Sequence, residues 1–211
     1  MILNPLRATL ALFALLLAPP LARADGLFSV PTAQNPDKGE TAFSIEQDAS
    51  GTSFRSHDTL RLASVQYGLT KRLAVGFDTR LNGHAKIEPN IALVLTPPKS
   101  AIGVNIGFQN VGVRSFGEQP YIVASRDFAS FSLHGGATHD SNGTHGMIGL
   151  EDHFGKKFEV LGDYIGGRGN FATVGGQLSF AKNFNLEAGY MIANSRSDTN
   201  GLFLSLQRNF H

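Results

Sequence analysis

From residue 73 to the C-terminus, short runs alternate apolar with small or polar side chains. In 73–82, Leu73, Val75, Phe77, Thr79 and Leu81 share one face, and Ala74, Gly76, Asp78, Arg80 and Asn82 share the other. A period of two is the period of a β-strand, and a strand with one apolar face must bury that face. The pattern recurs in 90–96 (Ile91, Leu93, Leu95) and in 101–109, where Ile102, Val104, Ile106 and Phe108 oppose Gly103, Asn105, Gly107 and Gln109. It returns in 172–180, 186–192 and 202–206. Weaker candidates are 40–47, 59–67, 120–126, 130–138, 146–153 and 158–165. In 59–67, Leu60 and Leu62 have parity opposite to Val65 and Tyr67, which predicts either a β-bulge or an error in the assigned register. The total is about twelve strands, or ten if weak ones merge.

No helical pattern is left over to cover these strands. The expected fold is therefore all-β: a transmembrane, antiparallel, up-and-down barrel with its apolar face toward lipid. The connections alternate in length. Short turns are expected at 68–72, 97–100, 126–129, 154–157 and 181–185, and longer ones at 48–57, 83–88, 111–118, 139–144, 166–170 and 194–200. Barrels of this kind have short periplasmic turns and longer external loops, so both termini belong on the periplasmic side. Tyr67, Phe128, Phe131, Phe154, Phe158, Phe180, Phe184 and Phe210 lie in or beside the short turns, as an interfacial aromatic girdle requires.

Ahead of the strands stands an export signal, residues 1–24. Arg7 supplies its charge, the apolar stretch 8–17 is too short to span a bilayer, and Ala22-Arg23-Ala24 is a small-x-small cleavage site. The mature chain should begin at Asp25. Residues 25–39 then form a periplasmic segment or plug, and 40–211 the barrel. Composition fits this division. Gly (24) and Phe (16) are abundant, Trp is absent, and the mean hydropathy of −0.06 hides a barrel because lumen-facing residues dilute the lipid-facing ones. A net charge of +1 offers no bulk attraction to nucleic acid, and the absence of Cys leaves the backbone ladder to hold the fold.

Two stretches carry a family resemblance. The last strand, with apolar residues alternating back from Phe210, resembles the C-terminal signal of outer-membrane barrels. It departs from that signal in that His211 follows Phe210 and Arg208 interrupts the series. The resemblance implies handling by the barrel-assembly machinery. Gly26-Leu27-Phe28-Ser29-Val30-Pro31-Thr32-Ala33 with Gly39 and Thr41, and Tyr67-Gly68-Leu69-Thr70-Lys71-Arg72-Leu73-Ala74-Val75-Gly76, are similar to YjbH-like barrels. That likeness implies a bacterial outer-membrane location among lipids and lipopolysaccharide, and components of exopolysaccharide export as partners.

The expected lumen-lining charges are Glu46, Arg61, Asp78, Arg80, Glu151, Asp163 and Glu187. Acids outnumber bases in this set, so any conductance should lean toward cations. No cofactor is expected. His134, His145 and His153 are spread along the barrel height and do not suggest a metal site. Gly166-Gly167-Arg168-Gly169 has no helix after it and reads as a loop. An enzymatic alternative rests on His139 and Ser141, two residues apart and therefore on one face at the external end. This His-x-Ser-Asn string resembles outer-membrane phospholipase A and lipid A deacylases, with Glu118 the nearest group able to orient the imidazole. The competing reading is that 140–143 is a polar hairpin turn ending in Asn-Gly. A lipocalin-like binder would need an apolar interior, which Gly, Asn, Gln and charge on the inner faces oppose.

Overall fold

The computed structural model describes residues 27–51, 59–82, 86–97, 100–112, 118–181 and 183–210. The export signal, the start at Asp25, His211 and parts of several loops lie outside them. Twelve strands follow in order: β1 (Thr41–Ser50), β2 (Thr59–Gly68), β3 (Leu73–Arg80), β4 (Ile87–Val94), β5 (Gly103–Gln109), β6 (Gln119–Asp127), β7 (Phe131–Asp140), β8 (Gly143–Phe154), β9 (Phe158–Ile165), β10 (Phe171–Ala181), β11 (Phe184–Ala193) and β12 (Gly201–Phe210). Each pairs antiparallel with its sequence neighbours, and β1 closes on β12 from Thr41↔Phe210 to Ser50↔Gly201. Closure leaves no sheet edge to satisfy.

Alternation sorts the side chains by wall. Ile45, Phe77, Ile122, Ile148, Val174 and Leu206 all stand outward and exposed, Ile148 at 57%. Inside, the buried residues are mainly polar, among them Asn105, His134, Glu151, Glu159 and Gln177. An apolar exterior round a polar interior inverts the water-soluble arrangement and needs a nonpolar surrounding.

Two expectations are corrected here. Residues 59–67 contain no bulge: the pairing of β1 with β2 is continuous from Ala49↔Thr59 to Thr41↔Tyr67. Leu60 and Leu62 therefore face inward, opposite Asp48 and Glu46, and Arg61 faces outward opposite Gln47. Ladders on both sides of β2 fix this register, and a one-residue slip would reverse the whole strand. A register shift does occur in β10, between Ser179 and Ala181. Second, 139–144 is no long loop. Asp140 pairs with Gly143 across the two-residue turn Ser141-Asn142, with Asn142 N–H donating to Asp140 Oδ1 at 2.6 Å.

At the end with the short turns, aromatic pairs line the outer rim. Phe128 stacks on Phe131 at 4.5 Å, Phe154 meets Phe158 at 6.3 Å, and Phe180 meets Phe184 at 5.8 Å. The guanidinium of Arg208, outward on β12, lies 4.9 Å from the Phe184 ring centre and 4.4 Å from that of Phe210. Cation–π contact makes this charge tolerable among aromatics.

Residues 27–40 form a strap inside the barrel. Gly39, in the left-handed region at φ 87°, turns the chain so that its N–H reaches Gly68 O at 2.8 Å, while Gly68 N–H reaches Glu40 O at 3.0 Å. From this pinned base the strap enters the lumen. Leu27, Phe28 and Val30 form with Met147, Leu161, Met191 and Phe203 an apolar core inside a mainly polar lumen. Phe28 and Phe203 meet edge to face at 5.0 Å.

Candidate functional site: the lumenal strap and the acid-lined cavity

The strap's footprint follows one cross-strand row. Gly103, Ser125, His134, Gly149, Asp163 and Thr173 are successive register partners from β5 to β10. Asp163 Oδ2 accepts the N–H groups of Ser29 at 2.6 Å and Val30 at 3.0 Å. Ser125 Oγ accepts Ala33 N–H at 2.8 Å and is bonded to His134 Nδ1 at 2.7 Å. His134 Nε2 lies 3.6 Å from Glu151 Oε1. Two residues on from Gly103 along β5, Asn105 Nδ2 donates to Thr32 O at 3.1 Å and to Asn35 Oδ1 at 3.1 Å. The row supplies donors and acceptors where the extended strap has no ladder partner of its own.

Glycines in the row make room. A Cβ on Gly149 would overlap Leu27 Cδ1, and one on Gly103 would come within 2.9 Å of Ala33 Cβ. On β11, a Cβ on Gly189 would meet the Phe28 ring at 3.0 Å. The wall is contoured to this segment.

Opposite, between the strap and the wall formed by β1–β5, β11 and β12, lies a cavity of about 260 Å³. Glu46, Asp78 and Glu187 line it together with Gln66, Asn90 and Gln109. Ser205 pairs with Glu46 on one side and Glu187 on the other, so these carboxylates face the lumen two strands apart. Asn90 Nδ2 donates to Asp78 Oδ2 at 2.8 Å. Arg80 Nε lies 3.7 Å from Glu88 Oε1, so its charge is set against an acid on the neighbouring strand. A lumen charge facing an opposite charge contributes little net field, and the carboxylates dominate.

The expected lumen charges thus divide. Glu46, Asp78 and Glu187 border the cavity. Glu151 lies beside His134, Asp163 holds the strap, Arg80 faces Glu88, and Arg61 stands on the outer face. Glu88 and Glu159 escaped the sequence reading, as did Asp48. Glu88 sits ahead of Pro89, and the strand had been expected to start at Asn90. Glu159 shares the parity of Asp163 in β9, which was the signal available.

His139, Ser141 and Glu118 have separate local partners. His139 Nδ1 is 2.9 Å from Thr144 Oγ1, Ser141 occupies the tight turn, and Glu118 Oε1 accepts Gly112 N–H at 3.2 Å. Asp140 instead binds His145 Nε2 at 3.0 Å. His153 Nδ1 lies 3.3 Å from Glu159 Oε1, so His134, His145 and His153 each stand beside a carboxylate. Among the described residues, no three His, Asp or Glu side chains converge as a metal site.

The fold and this inside-out wall define a closed twelve-stranded barrel of porin-like architecture. No family model matches the chain, and no curated protein matches its sequence. Among solved structures it is similar to the KdgM porin (TM-score 0.62, 12% identity, covering 81% of this chain and 99% of that one). It is also similar to a KdgM porin in complex with disordered oligogalacturonate (TM-score 0.59, 10% identity, 82% and 99% covered). Outer membrane phospholipase A from Escherichia coli aligns at a TM-score of 0.48 and 9% identity, over 87% of this chain and 93% of that one, a likeness too slight to transfer chemistry.

Proposed function

We propose that the protein is a bacterial outer-membrane channel for small hydrophilic solutes that passes cations in preference to anions. The observation that carries this reading is the wall of Glu46, Asp78 and Glu187 around the lumenal cavity, with Arg80 turned to Glu88. Fixed carboxylates in a narrow, low-dielectric passage raise the local concentration of cations and repel anions. The apolar outer face and the aromatic rim support a membrane location, with lipid and lipopolysaccharide against the outer wall. The end with the short turns is then periplasmic, and the C-terminal strand is what the assembly machinery would engage.

One structural neighbour is in complex with disordered oligogalacturonate, a polyanion. A uronate chain would face the carboxylate wall at a cost, whereas a neutral or cationic solute would not. The YjbH-like resemblance and its association with exopolysaccharide export fit this proposal for neutral glycans only. Efflux from liposomes of known lipid content tests the reading, with a small organic cation and an anion of matched size as probes. The cation should leave several-fold faster, and Asp78→Asn/Glu187→Gln should remove most of the difference. Equal rates, or an anion advantage, would contradict the proposal.

A further inference from the structure

We infer that residues 27–36 are a displaceable strap that closes the channel and withdraws toward the periplasmic end to open it. This inference rests on the channel reading and adds its regulation. Three observations carry it. The barrel's ladder is complete without the strap, since β1 pairs with β12 and with β2 along its length. Withdrawal therefore breaks no strand pairing. The strap's bonds to the β5–β9 wall run through side chains, at Asp163, Ser125 and Asn105, while its backbone anchors gather at the base. Gly68 N–H and O hold Glu40 and Gly39 there, and the positive φ of Gly39 places the turn at that point. A tether at one end and discrete side-chain clasps along the rest is the construction of a hinged element.

The seat is specific. Gly149, Gly103 and Gly189 leave space only where Leu27, Ala33 and Phe28 lie. On its other side the strap forms a wall of the acid-lined cavity, from Leu27 to Pro36. When it leaves, that cavity joins the space the strap had filled, and the cross-section beside Glu46, Asp78 and Glu187 widens. The carboxylates that select the solute and the element that closes the path thus share one chamber.

The chain contains no cysteine, so a disulfide lock can be introduced without background. A Cβ on residue 149 would lie 3.2 Å from Leu27 Cγ, which is where the sulfur of a cysteine at 27 falls. This is close to the spacing a disulfide requires. The full mature chain carrying Leu27→Cys/Gly149→Cys is refolded and recorded in planar bilayers, oxidised and then reduced, with each single-cysteine variant beside it. Heat-modifiable migration on gels establishes that each variant is folded. A companion variant, Val30→Cys, reports strap motion by its rate of reaction with a water-soluble maleimide, because Val30 is almost wholly buried while seated.

Oxidation should lower open probability at least tenfold and reduction should restore it, whereas neither treatment should change the open probability of either single-cysteine variant. Val30→Cys should react within minutes, and Asp163→Ala should speed that reaction by tenfold or more. Equal conductance in the locked and reduced forms would overturn the gate and leave the channel standing. No conductance in any form, with Val30→Cys still reacting, would overturn the channel reading and the gate with it. An unreactive Val30→Cys in a conducting barrel would show the strap to be a fixed part of the wall.

Discussion

Replacing Asp163 with Ala should release the strap while leaving the barrel intact. One carboxylate oxygen of Asp163 accepts two strap N–H groups, from Val30 in a buried bond and from Ser29 in a half-buried one. Alanine leaves both donors without this acceptor, and each buried unmet donor costs about 1–3 kcal/mol. Part of that cost is recovered when the strap leaves its seat, so a net loss of about 3 kcal/mol is a fair expectation. At about 1.4 kcal/mol per factor of ten, the seated state becomes about 150-fold less favoured. Hydrogen exchange read by mass spectrometry measures this directly. Amides of 27–33 should exchange about a hundredfold faster in Asp163→Ala. Asp163→Asn, which keeps an acceptor oxygen, should fall between. Ladder amides of β10 and β11 should keep their protection, because their pairing does not depend on the strap. Unchanged exchange in 27–33, or a loss of protection spread equally through β10 and β11, would refute the reasoning.

Other expectations follow from the same geometry. Gly149→Val sets a side chain against Leu27, and overpacking of this kind costs about 1–3 kcal/mol, so strap exchange should rise as in Asp163→Ala while strand protection holds. Ile148→Lys, outward at mid-strand, should cost about 2–4 kcal/mol and reduce the heat-modifiable fraction on gels, whereas Arg61→Ala should not. His139→Ala and Ser141→Ala should leave any phospholipid or lipid A deacylation by the preparation at its original level, since these side chains have separate partners.

The strands were most legible where one face meets a uniform surrounding. In β3 every outward residue from Leu73 to Phe77 is apolar, so a period of two survives without noise. The lumen imposes no such uniformity. It accepts Leu60 and Leu62 on β2 as well as Glu46, so parity there misled, and Arg61 was assigned to the wrong wall. The two-residue turn at Ser141-Asn142 carried a strong hairpin signal, yet strand extension beyond Thr138 could not be read, because His139 and Asp140 are neither apolar nor alternating. The path of residues 27–40 was beyond local pattern altogether. It depends on glycines more than sixty residues away that matter only through the side chains they lack, and on one aspartate whose partners are backbone amides. The acids of the cavity were partly legible, since Asp78 and Glu187 oppose clear apolar faces. Glu88 was hidden behind a proline, which is tolerated here because Pro89 precedes the β4–β5 ladder that begins at Ile91↔Phe108.

The proposed passage through the barrel is governed by lumenal carboxylates. Its most direct test is the reversal potential of the purified, refolded protein in a planar bilayer under a tenfold gradient of potassium chloride. The potential should have the sign set by potassium permeation and should move toward zero in Asp78→Asn/Glu187→Gln. A potential of the opposite sign, or one that the double substitution leaves in place, would contradict it.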